Sequence, residues 1–157
     1  MSGILLGVTE LPASPESVIA ARAFVRTRLG ADHPTMEDVV VLTSEVFTNS
    51  VIHSDSRHGG SVMVALAACW TLIHVDVVDA GGESFPHLRG DALSEGGRGL
   101  LLVDLLADRW DAYEDDAGRT VWFEVKCDGG GIGSGVGEET SERRIRRQLR
   151  ITRWAAI

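Results

Sequence analysis

Three short stretches of this chain combine residue types that can do chemistry. Glu45-Val-Phe-Thr-Asn49-Ser-Val-Ile-His53 sets an acid, an amide and an imidazole four residues apart. On a helix that spacing puts them in a slowly drifting row along one face. Such a row can hold a hydrated cation and orient a water or a hydroxyl. Val77-Val78-Asp79-Ala80-Gly81-Gly82 ends an apolar run in a carboxylate and two glycines. A carboxylate there can accept a hydrogen bond from an amino group such as adenine's, and Gly81 lets a flat ring approach the backbone. Glu95-Gly96-Gly97-Arg98-Gly99-Leu100 opens a helical pattern. Glycines before a helix expose backbone N–H groups where the helix end favours an anion, and Arg98 can add charge. Taken singly, each stretch also has an ordinary reading: a solvated helix stripe, a strand-end turn, a loop entering a helix.

The elements that must position these residues can be read from spacing. Residues 3–10 are apolar and suit an edge strand. Ser14-Pro15-Glu16-Ser17 reads as a helix start, with Ser14 as cap and Pro15 in the first turn; Val18, Ala21, Phe24, Val25 and Leu29 follow at helical spacing, and Gly30 stops it. A second, longer helix is expected over roughly 35–54, with Thr35 as cap. Residues 61–69 and 71–79 are adjacent strands. In the second, Leu72, His74, Asp76 and Val78 face one way, and Ile73, Val75 and Val77 face the other, toward helices. Residues 80–96 are a long loop rich in Gly, Pro, Glu, Asp and Ser, and loops of that length are usually functional. A helix over 97–107 and a hairpin of 109–115 with 119–126, turning at Asp115-Asp116-Ala117-Gly118, complete the body. Hairpin-connected strands with clustered helices imply an α+β sandwich, a mainly antiparallel mixed sheet with helices on one face.

Composition narrows the classes. The chain has 157 residues, of which 44% are hydrophobic and 24% charged, enough for one domain with a real core. No apolar run approaches the roughly 20 residues of a membrane span. The start, Met1-Ser2-Gly3-Ile4-Leu5-Leu6-Gly7, has no basic residue and does not resemble a signal peptide, so a cytoplasmic location is expected. Net charge is −8. Residues 128–157 hold six arginines against four acids, so residues 1–127 carry −10. An acidic body argues against nucleic acid as its ligand, but not against a nucleotide, which needs only local donors and a metal ion. After Cys127, six glycines among residues 129–137 mark a linker, followed by a basic tail. The domain is therefore placed at 1–127 and a disordered tail at 128–157. A phosphate loop of the Gly-x-x-x-x-Gly-Lys-[Ser/Thr] type does not occur, and Lys126 is the single lysine.

The order of the motifs lifts them above their separate readings. A Glu-x-x-x-Asn helix, a strand-end Asp-x-Gly, a long loop, Gly-x-Gly at a helix start and then Gly118-Arg119-Thr120-Val121-Trp122 occur in that sequence. This resembles the GHKL, or histidine-kinase-like, ATPase superfamily with its Bergerat fold. Within it the likeness is to small bacterial anti-sigma-factor serine/threonine kinases. The resemblance covers roughly residues 5–127 and implies ATP and Mg²⁺ as ligands. It implies that Asn49 coordinates the Mg²⁺ and that Glu45 is the general base activating a hydroxyl or water. It implies that Asp79 binds the adenine amino group, with Thr120 near the same edge and Gly81 lining the base pocket. It implies that Gly97, Arg98, Gly99 and Leu100 cradle the phosphates, under a lid formed by 80–96. It further implies transfer of the γ-phosphoryl to a serine or threonine of an antagonist protein. A homodimer, and a switch between sigma factor and antagonist that regulates transcription, belong to the same resemblance. Glu83 stands where the family's second glycine is expected, and the basic tail lies outside the family pattern.

The remaining residues read as structural. Cys69 and Cys127 are too far apart in sequence for a metal or redox motif and suit small buried hydrophobes. Trp70, Trp110, Trp122 and Trp154 suit packing sites, and His58 a surface loop. Ser50 and His53 lie near the helix motif by spacing. Two other functions fit the same residues: a module that holds ATP without phosphorylating anything, and a nucleic-acid-associated regulator acting through the arginine tail.

Overall fold

The computed structural model describes residues 3–82 and 97–127. Their order is β1 (Ile4–Pro12), α1 (Ser17–Leu29), α2 (Met36–His53), a short 3-10 turn (Asp55–Arg57), β2 (Ser61–Cys69), β3 (Leu72–Asp79), α3 (Gly97–Leu106), β4 (Arg109–Asp115) and β5 (Gly118–Lys126). The strands form one sheet in the order β1-β2-β3-β5-β4, and every pairing in it is antiparallel. The helix-facing side carries Val62, Val64 and Leu66 of β2, Ile73, Val75 and Val77 of β3, and Val121, Phe123 and Val125 of β5. These pack on Ala21 and Val25 of α1, Val39, Leu42, Val46 and Phe47 of α2, and Val103 of α3. The expected α+β sandwich with helices on one face is what forms. The driving force is the period-two apolar set on β3 and β5 meeting the apolar stripe of α2.

Several boundaries and environments differ from expectation. α1 begins at Ser17, not at Ser14; the Ser14 hydroxyl hydrogen-bonds the Ser17 hydroxyl at 3.1 Å instead of capping a helix N–H. Thr35 precedes α2, but its hydroxyl turns to His33 Nδ1 at 3.1 Å. Cys69 and Cys127 are half-buried and not fully buried, Cys69 being the last residue of β2 and Cys127 the first after β5. Burial, then the nearby Glu124 carboxylate, push the Cys69 thiol pKa up. Trp70 fills no packing site: it is 80% exposed in the tight β2–β3 turn. His58 is exposed, as expected for a surface loop. No helix among the described residues is long and apolar enough to cross a membrane. Gly96, Glu83, most of the expected lid, Trp154 and the arginine tail lie outside the described residues.

Candidate functional site

α2 carries the helix motif. Val46, Phe47 and Val51 are buried in the core, which turns Glu45 and Asn49 onto a half-buried flank, and His53 is exposed in the last turn. Ser50 is buried, and its carbonyl accepts from the Ser54 hydroxyl. Glu45 and His53 are eight residues apart, so the row spans about 12 Å at 1.5 Å per residue. Among the described residues, neither Glu45 nor Asn49 makes a side-chain hydrogen bond or ion pair. Two oxygen-bearing side chains therefore stand on one flank with their acceptors open.

The turn after β3 is fastened to the end of α2. The Asp55 N–H donates to the Gly81 carbonyl at 2.7 Å. The Ala80 N–H donates to the Ser56 hydroxyl at 2.9 Å. These bonds bring the Asp79–Gly82 motif to the C-terminal end of the helix that carries Glu45 and Asn49. Gly81 has φ +80°, and a Cβ there would also collide with the Glu114 carboxylate. Gly118 has φ +120°, and a Cβ there would run into the Asp79 carbonyl, so only glycine lets β5 close on β3 at this point.

Asp79 itself is buried and engaged. Its Oδ1 accepts from the Gly81 N–H at 2.8 Å, and its Oδ2 pairs with Arg119 Nη2 at 2.9 Å, the two side chains being 0% and 3% exposed. Thr120, expected near the same edge, does not pair with Asp79 in the ladder. In the β3–β5 ladder Asp79 lies opposite Arg119, and Thr120 lies opposite Val78. Side chains alternate faces along a strand, so Thr120 points to the side of the sheet away from Asp79. Arg119, which the sequence reading did not single out, is Asp79's partner. The signal was present: Val121, Phe123 and Val125 are the apolar set of β5, and Arg119 shares their parity just as Asp79 shares that of Ile73, Val75 and Val77.

α3 starts at Gly97, so Gly97, Arg98, Gly99 and Leu100 form its first turn and not a loop before it. The first four N–H groups of a helix have no intrahelical partner, and a turn of that kind suits an anion. An open cavity between α3 and β4 is lined by Asp104, Asp108, Arg109, Trp110 and Trp122, among others. It lies at the opposite end of β5 from Asp79 and contains none of the expected site residues.

The helix-free face carries a second buried cluster. His74 donates from one ring nitrogen toward Glu124, with Nδ1 at 2.9 Å from Oε1, and from the other toward Asp76, with Nε2 at 3.2 Å from Oδ2. Arg109 pairs with Glu124 at 3.0 Å, and the Trp122 ring stacks on His74 with centroids 5.5 Å apart. Burial alone would lower the His74 pKa, but the two carboxylates outweigh it and raise it to about 9. Burial likewise works to raise Glu124, and His74 with Arg109 bring it below the usual carboxylate range.

An antiparallel five-stranded sheet under three helices, with a Glu-x-x-x-Asn helix fastened to a strand-end Asp-x-Gly, defines an ATPase domain of the histidine-kinase-like class. The family model described as "Histidine kinase-like ATPase domain" matches residues 11–125, and the chain belongs to that family. It is similar to the serine-protein kinase RsbW of Oceanobacillus iheyensis, at 31% identity over 63% of this chain and 73% of that protein. It is likewise similar to the serine-protein kinase RsbW of Bacillus subtilis (strain 168), at 31% identity over 63% of this chain and 72% of that one. Among solved structures, part of a chain containing the RsbU and RsbW domains of a Mycobacterium tuberculosis protein shares the fold. That match has a TM-score of 0.56 and 20% identity, and covers 82% of this chain and 35% of the larger one.

Proposed function

We propose that this chain binds ATP with Mg²⁺ between α2, the β3 end and the α3 start, and transfers the γ-phosphoryl to a serine or threonine of an antagonist protein. The observation that carries this reading is the fastening of the Asp79–Gly82 turn to the end of α2, which sets a buried carboxylate beside the helix holding Glu45 and Asn49. Similarity to proteins named serine-protein kinases supports a hydroxyl acceptor.

The residues fit a magnesium ion. No group of three or more His, Cys, Asp or Glu side chains able to hold a metal occurs among the described residues. Mg²⁺, however, is ordinarily held by one or two protein oxygens together with phosphates and water. Asn49 supplies such an oxygen. Bound there, the ion neutralises phosphate charge.

The chain's own residues then divide the work. The first-turn N–H groups of α3, Gly97 to Leu100, donate to phosphate oxygens, with Arg98 adding charge. Asp79 accepts from the adenine amino group and sets how far the nucleotide reaches along α2, with Gly81 lining the base pocket. Glu45, open-sided on α2, accepts the proton of the attacking hydroxyl. Catalysis of this kind is positioning and charge stabilisation, so the rigid tie between β3 and α2 matters more than any one contact. A sigma factor as the antagonist's competitor, a homodimer, control of transcription and a cytoplasmic location complete the proposal. The basic tail stays outside it.

The test is a phosphotransfer assay with ATP–Mg²⁺ and candidate antagonist proteins. Wild type should label the acceptor. Glu45→Ala should bind ATP within about threefold of wild type and transfer at least a hundredfold more slowly. ATP binding with no transfer by wild type to any acceptor would leave a nucleotide-holding module in place of a kinase.

A further inference from the structure

We propose that the arginine-rich segment 143–153 docks back on the helix-free face of its own sheet. This goes beyond the nucleotide reading and does not depend on it.

α1, α2 and α3 all pack on the opposite side of the sheet. An antiparallel sheet with helices on one side commonly turns polar, solvated side chains outward on the other. This sheet does not. Ladder partners share a face, so the helix-free side presents Ala65 and Ala67 of β2, His74, Asp76 and Val78 of β3, and Thr120, Trp122 and Glu124 of β5. All of them are 8% exposed or less. Side chains stand roughly perpendicular to a sheet, so neighbouring strands shield their flanks but not their outer ends. None of the described helices lies on that side to shield those ends.

The position of the chain ends favours one cover. Residues 83–96 run from the turn tied to α2 to the start of α3, and both of those helices are on the other side. Residues 128–157 instead follow β5 directly. The Cys127 N–H donates to the Thr71 carbonyl at 2.8 Å, which fixes the exit at the His74–Glu124 end of the helix-free face. Fifteen residues, 128–142, then precede the arginine segment. A Gly-rich stretch of that length spans about 20 Å, enough to lay the segment across strands about 5 Å apart.

The chemistry of segment and face is complementary. At helical spacing Ile145, Leu149 and Thr152 fall on one side, and six arginines spread over the rest with no acid among them. The face has alanines near its centre and exposed carboxylates at its rims, Glu10 on β1 with Asp111 and Asp115 on β4. Counting Asp76 and Glu124 against His74, Arg109 and Lys126, it holds five acids and three bases. Asp76 and Glu124 are already answered by His74 and Arg109. The segment's arginines are therefore matched to the rims, where their stems can lie along apolar surface while the charged heads reach out to carboxylates.

The test is thiol alkylation by iodoacetamide in the full-length chain carrying Cys69→Ser and Cys127→Ser. One new thiol, Ala65→Cys, reports on the face, and another, Ala21→Cys, reports on the core. Both should react slowly. Ile145→Asp with Leu149→Asp should speed Ala65→Cys about tenfold or more and leave Ala21→Cys slow. Arg146→Glu with Arg150→Glu should speed it less, by about threefold. With Ala65→Cys and Leu149→Cys together, a short bis-maleimide should join the two within one chain. An alkylation rate at Ala65→Cys that neither tail variant changes overturns the proposal. Acceleration of Ala21→Cys to the same degree also overturns it, since the opening is then global. Cross-links only between chains, or protection that fades on dilution, make a second copy the cover and overturn it too.

Discussion

Asp79 and Arg119 close the β3–β5 ladder at one end, on the helix face. His74 and Glu124 face each other five rungs away, on the helix-free face, with Asp76 on the same face three rungs from Asp79. Both groups are buried and ionic, yet they are built differently. His74 lies between two carboxylates, Glu124 is also held by Arg109, and the Trp122 ring covers the imidazole. Its charges answer one another several times over, and the cluster fastens three strands, β3, β5 and β4. Asp79 is held by one guanidinium and one backbone N–H, at a strand end beside glycines that alone tolerate the close approach there. Burial of charge by itself therefore does not mark a binding site. What sets the Asp79 end apart is its turn, fastened to the end of α2.

The comparison can be broken at either end. The largest effect on stability is expected from Glu124→Ala, which leaves the His74 and Arg109 charges without their shared partner: about 3–5 kcal/mol lost in urea unfolding. ATP affinity should stay within about twofold, since the cluster lies away from the site.

Next comes pH. The folded His74 pKa of about 9 stands above its ordinary 6.5, so the folded state holds the proton more tightly than the unfolded one. Its contribution is fully present below pH 6.5, declines as pH rises, and is gone above about 9. The size is about 3 kcal/mol, shared with Glu124 and not additional to it. Unfolding free energies measured from pH 6 to 10 should show this slope, and His74→Gln should flatten it.

Asp79→Asn should cost less, about 1–3 kcal/mol, because the amide oxygen still accepts from Gly81 and only the charge opposite Arg119 is lost. The smallest effect is expected from Arg109→Ala. Its side chain is 44% exposed, and solvent-screened pairs contribute about 1 kcal/mol or less.

Much of the fold was legible because β3 and β5 each carry a clean alternation and α2 a long apolar stripe. The helix motif and the strand-end motif fell where those patterns put them. What spacing did not settle was register. A one-residue step from Arg119 to Thr120 moves a side chain to the other face, and pairing Asp79 with Arg119 needed the β3–β5 register. The His74–Glu124 contact joins residues 50 apart; the shared face of His74 and Asp76 was visible, but the strand that would cross them was not. The exposure of Trp70 follows from a turn too tight to cover an indole, which composition alone does not reveal.

The most direct test of the account is ATP–Mg²⁺ binding by calorimetry to the wild-type chain, Asp79→Asn and Glu124→Gln side by side. The account predicts saturable binding by wild type, at least a tenfold loss in Asp79→Asn, and no loss in folded Glu124→Gln. Equal losses in the two variants, or undiminished binding by Asp79→Asn, would contradict the assignment of the β3 end as the nucleotide site.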